Sequence, residues 1–133
     1  MKITIVRAGV NEELGRDAGR QGSSSKVTEY LSTPDANGEF DDSQRSSSYR
    51  MGVSVFAISH DGGGAQIAQI SIADRSDATE LLLRRREDML EPVANMVNAY
   101  RSDTTAIIVE SPGEIELRGG RWRVRRKMTA RYV

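Results

Sequence analysis

The stretch that decides the fold is residues 114–133, EIELRGGRWRVRRKMTARYV. Gly119-Gly120 permits a two-residue turn with positive φ, so Glu114–Arg118 and the residues from Arg121 onward fold back on each other. Counting outward from that turn sets Arg121 opposite Arg118, Trp122 opposite Leu117, Arg123 opposite Glu116 and Arg125 opposite Glu114. Strand alternation then puts Trp122, Val124, Met128, Ala130 and Tyr132 on one face. Arg121, Arg123, Arg125, Lys127 and Arg131 share the other face with Thr129, and Arg126 alone breaks the pattern. The first face is expected in a core, the second as a cationic stripe.

Working upstream, Thr104–Val109 reads as a strand, with Ser111-Pro112-Gly113 as a break before Glu114. The helix before it is expected to start at Asp77, with Glu80 three residues on, the spacing of a reciprocal cap. Ala78, Leu82, Met89, Val93, Met96, Val97 and Tyr100 fall on one helical face, with Leu81 and Leu90 beside them. Pro92 interrupts that run and predicts a kink, or two short helices, near Glu91. Earlier still, Tyr49–Ser59 and Ala65–Ala73 read as a second hairpin about His60-Asp61-Gly62-Gly63-Gly64.

Residues 11–50 differ in composition. They are rich in Ser, Gly, Asp and Arg, with serine triplets at 23–25 and 46–48, and predict a long polar arm or loop. Val27, Tyr30, Leu31, Phe40 and Tyr49 are its buriable residues. Residues 1–10 contain a short apolar strand centred on Ile3, Ile5 and Val6. With 133 residues the chain makes a single domain, 1–133, in which 51–133 form the core. The fold class expected is α+β: an antiparallel sheet of two hairpins with one helix packed on one face, plus the arm.

Nineteen Lys/Arg balance nineteen Asp/Glu, yet seven of the bases lie in 118–131, where there is no acid. The remainder therefore carries twelve bases against nineteen acids, and the neutral total hides a polarised chain. In one reading the stripe is a salt-bridged sheet face, with Arg123 and Arg125 paired to Glu116 and Glu114. That leaves Arg121, Lys127 and Arg131 without an acidic partner. In the other reading the excess docks an acidic surface, either another copy or a neighbouring protein. The acidic segment 34–42, PDANGEFDD, is a candidate counterpart on another subunit. Nucleic-acid binding through Arg121, Arg123, Arg125 and Lys127 is a further alternative, with Trp122 stacking on bases; it requires that Trp122 be exposed.

Sites for chemistry are few. Without cysteine there is no disulfide, thiolate metal site or thiol nucleophile, and one histidine excludes multi-histidine sites. His60-Asp61 reads as turn chemistry, with no nucleophile placed beside it. Gly62-Gly63-Gly64 lacks the GK[ST] of a phosphate loop. The PDANGEFDD segment has Phe40 where a calcium loop needs glycine, and reads as a turn. Arg84-Arg85-Arg86 with Glu87-Asp88 reads as a solvated helix face. No catalytic, cofactor-binding or metal-binding residue is assigned, and the chain is not expected to be an enzyme. No apolar run approaches a membrane span, and no apolar stretch follows the basic start as a secretory signal requires.

From about Tyr49 to Val133 the layout resembles small α+β proteins of tailed bacteriophages, the tail-terminator and head–tail joining proteins. The matching stretches are RMGVSVFAIS…QIAQISIA, the helix opening SDATELL, and the closing GGRWRVRRKMTARYV. That resemblance implies a ring-forming virion subunit whose sheet edges pair between copies, with no catalytic residues. The expected function is accordingly a structural assembly subunit. It would contact copies of itself and neighbouring subunits through Arg121, Arg123, Arg125, Lys127 and Arg131, and through an arm anchored by Tyr30, Leu31 and Phe40. A cytoplasmic nucleic-acid module or a small inhibitory protein are the alternatives.

Overall fold

A computed structural model describes residues 26–133. The strand expected over 1–10 and the part of the arm over 11–25 lie outside the described residues. In chain order the strands are β1 (Val27–Leu31), β2 (Phe40–Asp41), β3 (Phe56–His60), β4 (Ile67–Ile72), β5 (Ala94–Met96), β6 (Ile107–Ser111), β7 (Gly113–Arg118), β8 (Arg121–Arg126) and β9 (Met128–Tyr132). One α-helix, α1 (Ser76–Arg84), lies between β4 and β5. The fold is α+β.

Gly119 and Gly120 adopt φ of +59° and +78°, and the hairpin they close has the register counted from the turn for three pairs. Arg118 faces Arg121, Leu117 faces Trp122 and Glu116 faces Arg123. A bulge then puts Arg126, not Arg125, opposite Glu114. Pro112 interrupts one arm of this ribbon and Lys127 the other. The expected closing strand 121–133 is therefore two strands, β8 in a large sheet and β9 in a small one. Gly113 sits at the crossing: a Cβ there would lie 2.6 Å from the Arg126 carbonyl oxygen and 2.7 Å from the Met128 nitrogen. Only glycine lets the two backbones pass so closely.

The large sheet has the order β1-β3-β4-β7-β8-β2 and is antiparallel throughout. Phe40 on one edge strand stacks edge-on against Phe56 of β3, with ring centroids 5.4 Å apart, so the sheet curls over its own core. The chain after β2 bridges the two edges. Asp42 N–H donates to the Gly120 carbonyl (2.9 Å), and Ser46 exchanges two hydrogen bonds with Tyr30 of β1 (2.9 and 3.0 Å).

This corrects the expected arm over the described residues 26–50. That segment supplies both edge strands of the chain's own sheet. Its polar groups are satisfied locally: Gln44 Oε1 accepts from Ser32 and Thr33, and Asp35 Oδ1 from the N–H groups of Asn37 and Glu39. With the backbone so satisfied, a few apolar side chains suffice to hold the segment down.

The second hairpin forms as expected between β3 and β4, with Ala68 and Ile70 buried. Its first strand starts at Phe56 rather than Tyr49, because Arg50–Val53 make a turn. The helix differs more. Arg75 takes the N-cap position without a side-chain cap, and the expected cap Asp77 instead accepts from the Tyr49 hydroxyl at 2.6 Å. Helical structure ends before Pro92, after one wide turn over Arg86–Leu90 in which Glu91 N–H reaches the Arg86 carbonyl (2.9 Å). Pro92 thus neither kinks nor divides a helix: beyond it the chain is extended. Ala94, Asn95 and Met96 alternate in a period of two as well as fitting a helical stripe, and pairing with β9 decides between the two.

The small sheet has the order β5-β9-β6, with β5 parallel and β6 antiparallel to β9. Trp122, Phe40, Phe56, Ile58, Ile70, Leu82, Leu90, Ile115 and Met128 are all fully buried. Ala130 and Tyr132 are buried with them, as the alternation of residues 122–132 requires.

Candidate functional site

The basic face of β8 and β9 is held mainly by the chain's own acids. Arg121 donates to Asp35 Oδ2 at 2.6 Å and to Glu39 Oε1 at 2.9 Å, with Asp41 Oδ2 3.8 Å away. The geometry begins in Pro34-Asp35-Ala36-Asn37-Gly38, whose turn closes through Gly38 N–H to the Asp35 carbonyl (3.0 Å). Gly38 has φ +81°, and a Cβ on it would lie 2.6 Å from the Pro92 carbonyl oxygen. The acidic loop is thereby pressed against the turn before β5, with its carboxylates toward β8.

Electrostatics agree with the distances. The Glu39 N–H, with lesser help from the Asn37 N–H and the Arg121 guanidinium, holds the Asp35 carboxyl below the usual carboxylate range against the cost of desolvation. Hydrogen bonding to Glu39 raises Arg121 in turn. Asp41 is held low mainly by Ser43.

The other stripe residues follow. Arg123 lies 3.6 Å from Glu39 Oε2, Arg125 3.3 Å from Glu114 Oε2, and Arg131 3.1 Å from Glu110 Oε2. The PDANGEFDD segment, expected as a counterpart on another subunit, is thus the counterpart within the chain, and Arg121 and Arg131 do have acidic partners. Lys127 is the exception: its ammonium donates to the Glu91 carbonyl (3.1 Å) and has no carboxylate among the described residues.

The expected arm anchors are also corrected. Leu31 and Phe40 are 1% and 0% exposed, and Tyr30 stands edge-on against Tyr49 with centroids 5.6 Å apart. All three pack within this chain. Trp122 is fully buried and its indole N–H donates to Asp42 Oδ1 at 2.8 Å, so it offers no face to a base. His60 is buried. Its Nδ1 accepts from Gly62 N–H (3.0 Å), which leaves Nε2 to donate to Glu29 Oε1 at 2.6 Å, tying β1 to the end of β3.

What sequence reading missed is the small sheet's two edges. Among the described residues β5 and β6 each pair only with β9, on opposite sides of it. Ile108 on β6 is 41% exposed, and Val97, just beyond β5, 56%. A cavity of about 550 Å³ lies along β5, lined by Glu91, Asn95, Met96, Tyr100, Lys127 and Tyr132 among others. The Tyr132 hydroxyl is buried without a hydrogen-bond partner among the described residues. The IIVES run marks a strand, but nothing in it marks an edge. No family model, curated protein or solved structure matches the chain.

Proposed function

We propose that the protein is a structural assembly subunit that joins copies of itself and neighbouring subunits through sheet edges. The setting is the virion implied by its resemblance to tail-terminator and head–tail joining proteins. The observation that supports this reading is the contrast between the two sheets. The large sheet's edges are bridged by residues 42–46, whereas both edges of the small sheet are unpaired among the described residues. An edge strand is a template for another chain, and soluble monomers guard it with lysine, proline or a covering loop. Between Ile107 and Ser111 there is neither lysine nor proline, and Glu110 is the one charge.

The basic stripe plays a smaller part here than its sequence suggests. A partner's carboxylates or a phosphate backbone would have to displace Asp35, Glu39, Glu110 and Glu114. With Trp122 buried as well, the nucleic-acid reading lacks the stacking residue on which it depends.

Light scattering behind a sizing column tests the reading, with the full chain at low and high salt and with short DNA in a parallel run. The expected result is a mass several times that of one chain, retained at high salt because backbone pairing and apolar contact carry it, and unaltered by DNA. A monomer that shifts only with DNA overturns it.

A further inference from the structure

We infer that copies of the chain join head-to-tail, the β6 edge of one pairing antiparallel with the β5 edge of the next. This rests on the assembly reading above and specifies its contact. Strand polarity is the first ground. Because β5 runs parallel to β9 and β6 antiparallel to it, the outer edges of the small sheet run in opposite directions. A second copy placed beside the first in the same orientation sets its β5 antiparallel to the first copy's β6, the more stable ladder. The resulting contact is heterologous and repeats from copy to copy.

Among the described residues, backbone groups are available on both sides. Val97 N–H bonds to the Ala130 carbonyl (2.9 Å) and Met128 N–H to the Val93 carbonyl (3.1 Å), so residues 93, 95 and 97 address β9. Alternation turns the N–H and C=O of Ala94 and Met96 outward. On the far side Ala106 and Val133 exchange hydrogen bonds (2.9 and 3.1 Å), which turns those of Ile107 outward.

Side chains complement each other in the same sense. The β5 side carries exposed Val97, the cavity along the strand and Lys127, whose charge no described carboxylate offsets. The β6 side carries exposed Ile108 and the half-exposed Glu110, whose carboxylate also holds Arg131 of its own chain at 3.1 Å. Pairing β6 with itself about a twofold perpendicular to the sheet would set two Glu110 carboxylates on one face and leave β5 uncovered, so the head-to-tail arrangement uses more of what is exposed.

The test uses two full-length variants, Ile108→Lys and Val97→Lys, both at exposed positions, with circular dichroism to confirm that each folds. The wild-type chain is expected to exceed a dimer. Each variant alone is expected to be a monomer, having lost one half of every contact. An equimolar mixture is expected to form a dimer and nothing larger, because one intact β6 edge meets one intact β5 edge. A mixture that stays monomeric, or a Val97→Lys variant that still assembles, overturns the head-to-tail contact while self-assembly itself stands. A wild-type monomer at every concentration overturns both.

Discussion

Replacing Phe40 with alanine separates a core residue from a partner anchor. The ring is fully buried, stands 5.4 Å from Phe56 and pairs across the strands with Trp122. Returning its apolar surface to water costs about 1.5–3 kcal/mol. Losing the edge-on aromatic pair adds about 0.5–1.5 kcal/mol, and the residual cavity brings the total to about 3–5 kcal/mol. Domains of this kind have roughly 5–15 kcal/mol in all, so the variant should unfold at a markedly lower urea concentration at every protein concentration. Met51→Ala, at a position 73% exposed, should stay within about 0.5 kcal/mol of wild type. An arm anchored on a neighbour predicts the opposite: unchanged stability in dilute monomer and loss of assembly alone. If Phe40→Ala leaves the dilute midpoint where it was, the packing argument for residues 26–50 fails.

Two further predictions concern charge and pH. Burial, the hydrogen bond to Asp77 and the charge of Asp77 push the Tyr49 hydroxyl up to about 12. Its contribution to stability is therefore complete below the unfolded value of about 10 and is lost as pH rises from there through 12. Tyr49→Phe should flatten that alkaline limb in a urea titration against pH. It should also remove the hydroxyl that does most to hold Asp77 below its ordinary range, so that less stability is left to lose as pH falls through the carboxylate range and the acid limb flattens too. Arg121→Met should lower the urea midpoint at low salt, with the difference shrinking as salt rises, while Arg118→Met should not; equal effects would mean that the Asp35 and Glu39 contacts stabilise nothing.

Local chemistry was the legible part of this chain. The Gly119-Gly120 turn fixed three cross-strand pairs in advance, and alternation identified Trp122, Met128, Ala130 and Tyr132 as buried. The register slipped where a bulge entered at Glu114–Ile115, because no residue type announces a bulge. Composition misled over residues 26–50: serine, aspartate and glutamine lower apolar content, yet here Gln44 and Asp35 satisfy the backbone and make order inexpensive. Pro92 was legible as an interruption, but it stands beyond the last helical turn and not within a helix. What followed it was not legible, since Ala94–Met96 fit two periodicities and only a strand 34 residues downstream, Met128 against Ala94, chooses between them.

The cationic stripe shows why a charge layout is a weak guide to partners when the acids lie far away in sequence. Arg121 meets Asp35 across 86 residues and Glu39 across 82, separations that no pattern search along a strand reaches. Once the curled sheet brings them together, the polarity of the sequence is largely neutralised inside one chain. The same contacts secure the segment that bridges β2 to β1. The most conspicuous charges of the sequence thus contribute to closing the large sheet, and among the described residues the edge backbone groups without a partner strand belong to the small one, at Ile107, Ala94 and Met96. Uncharged edge backbone is silent in composition and periodicity alike, so the edges on which the assembly proposal rests are ones a sequence reading passes over.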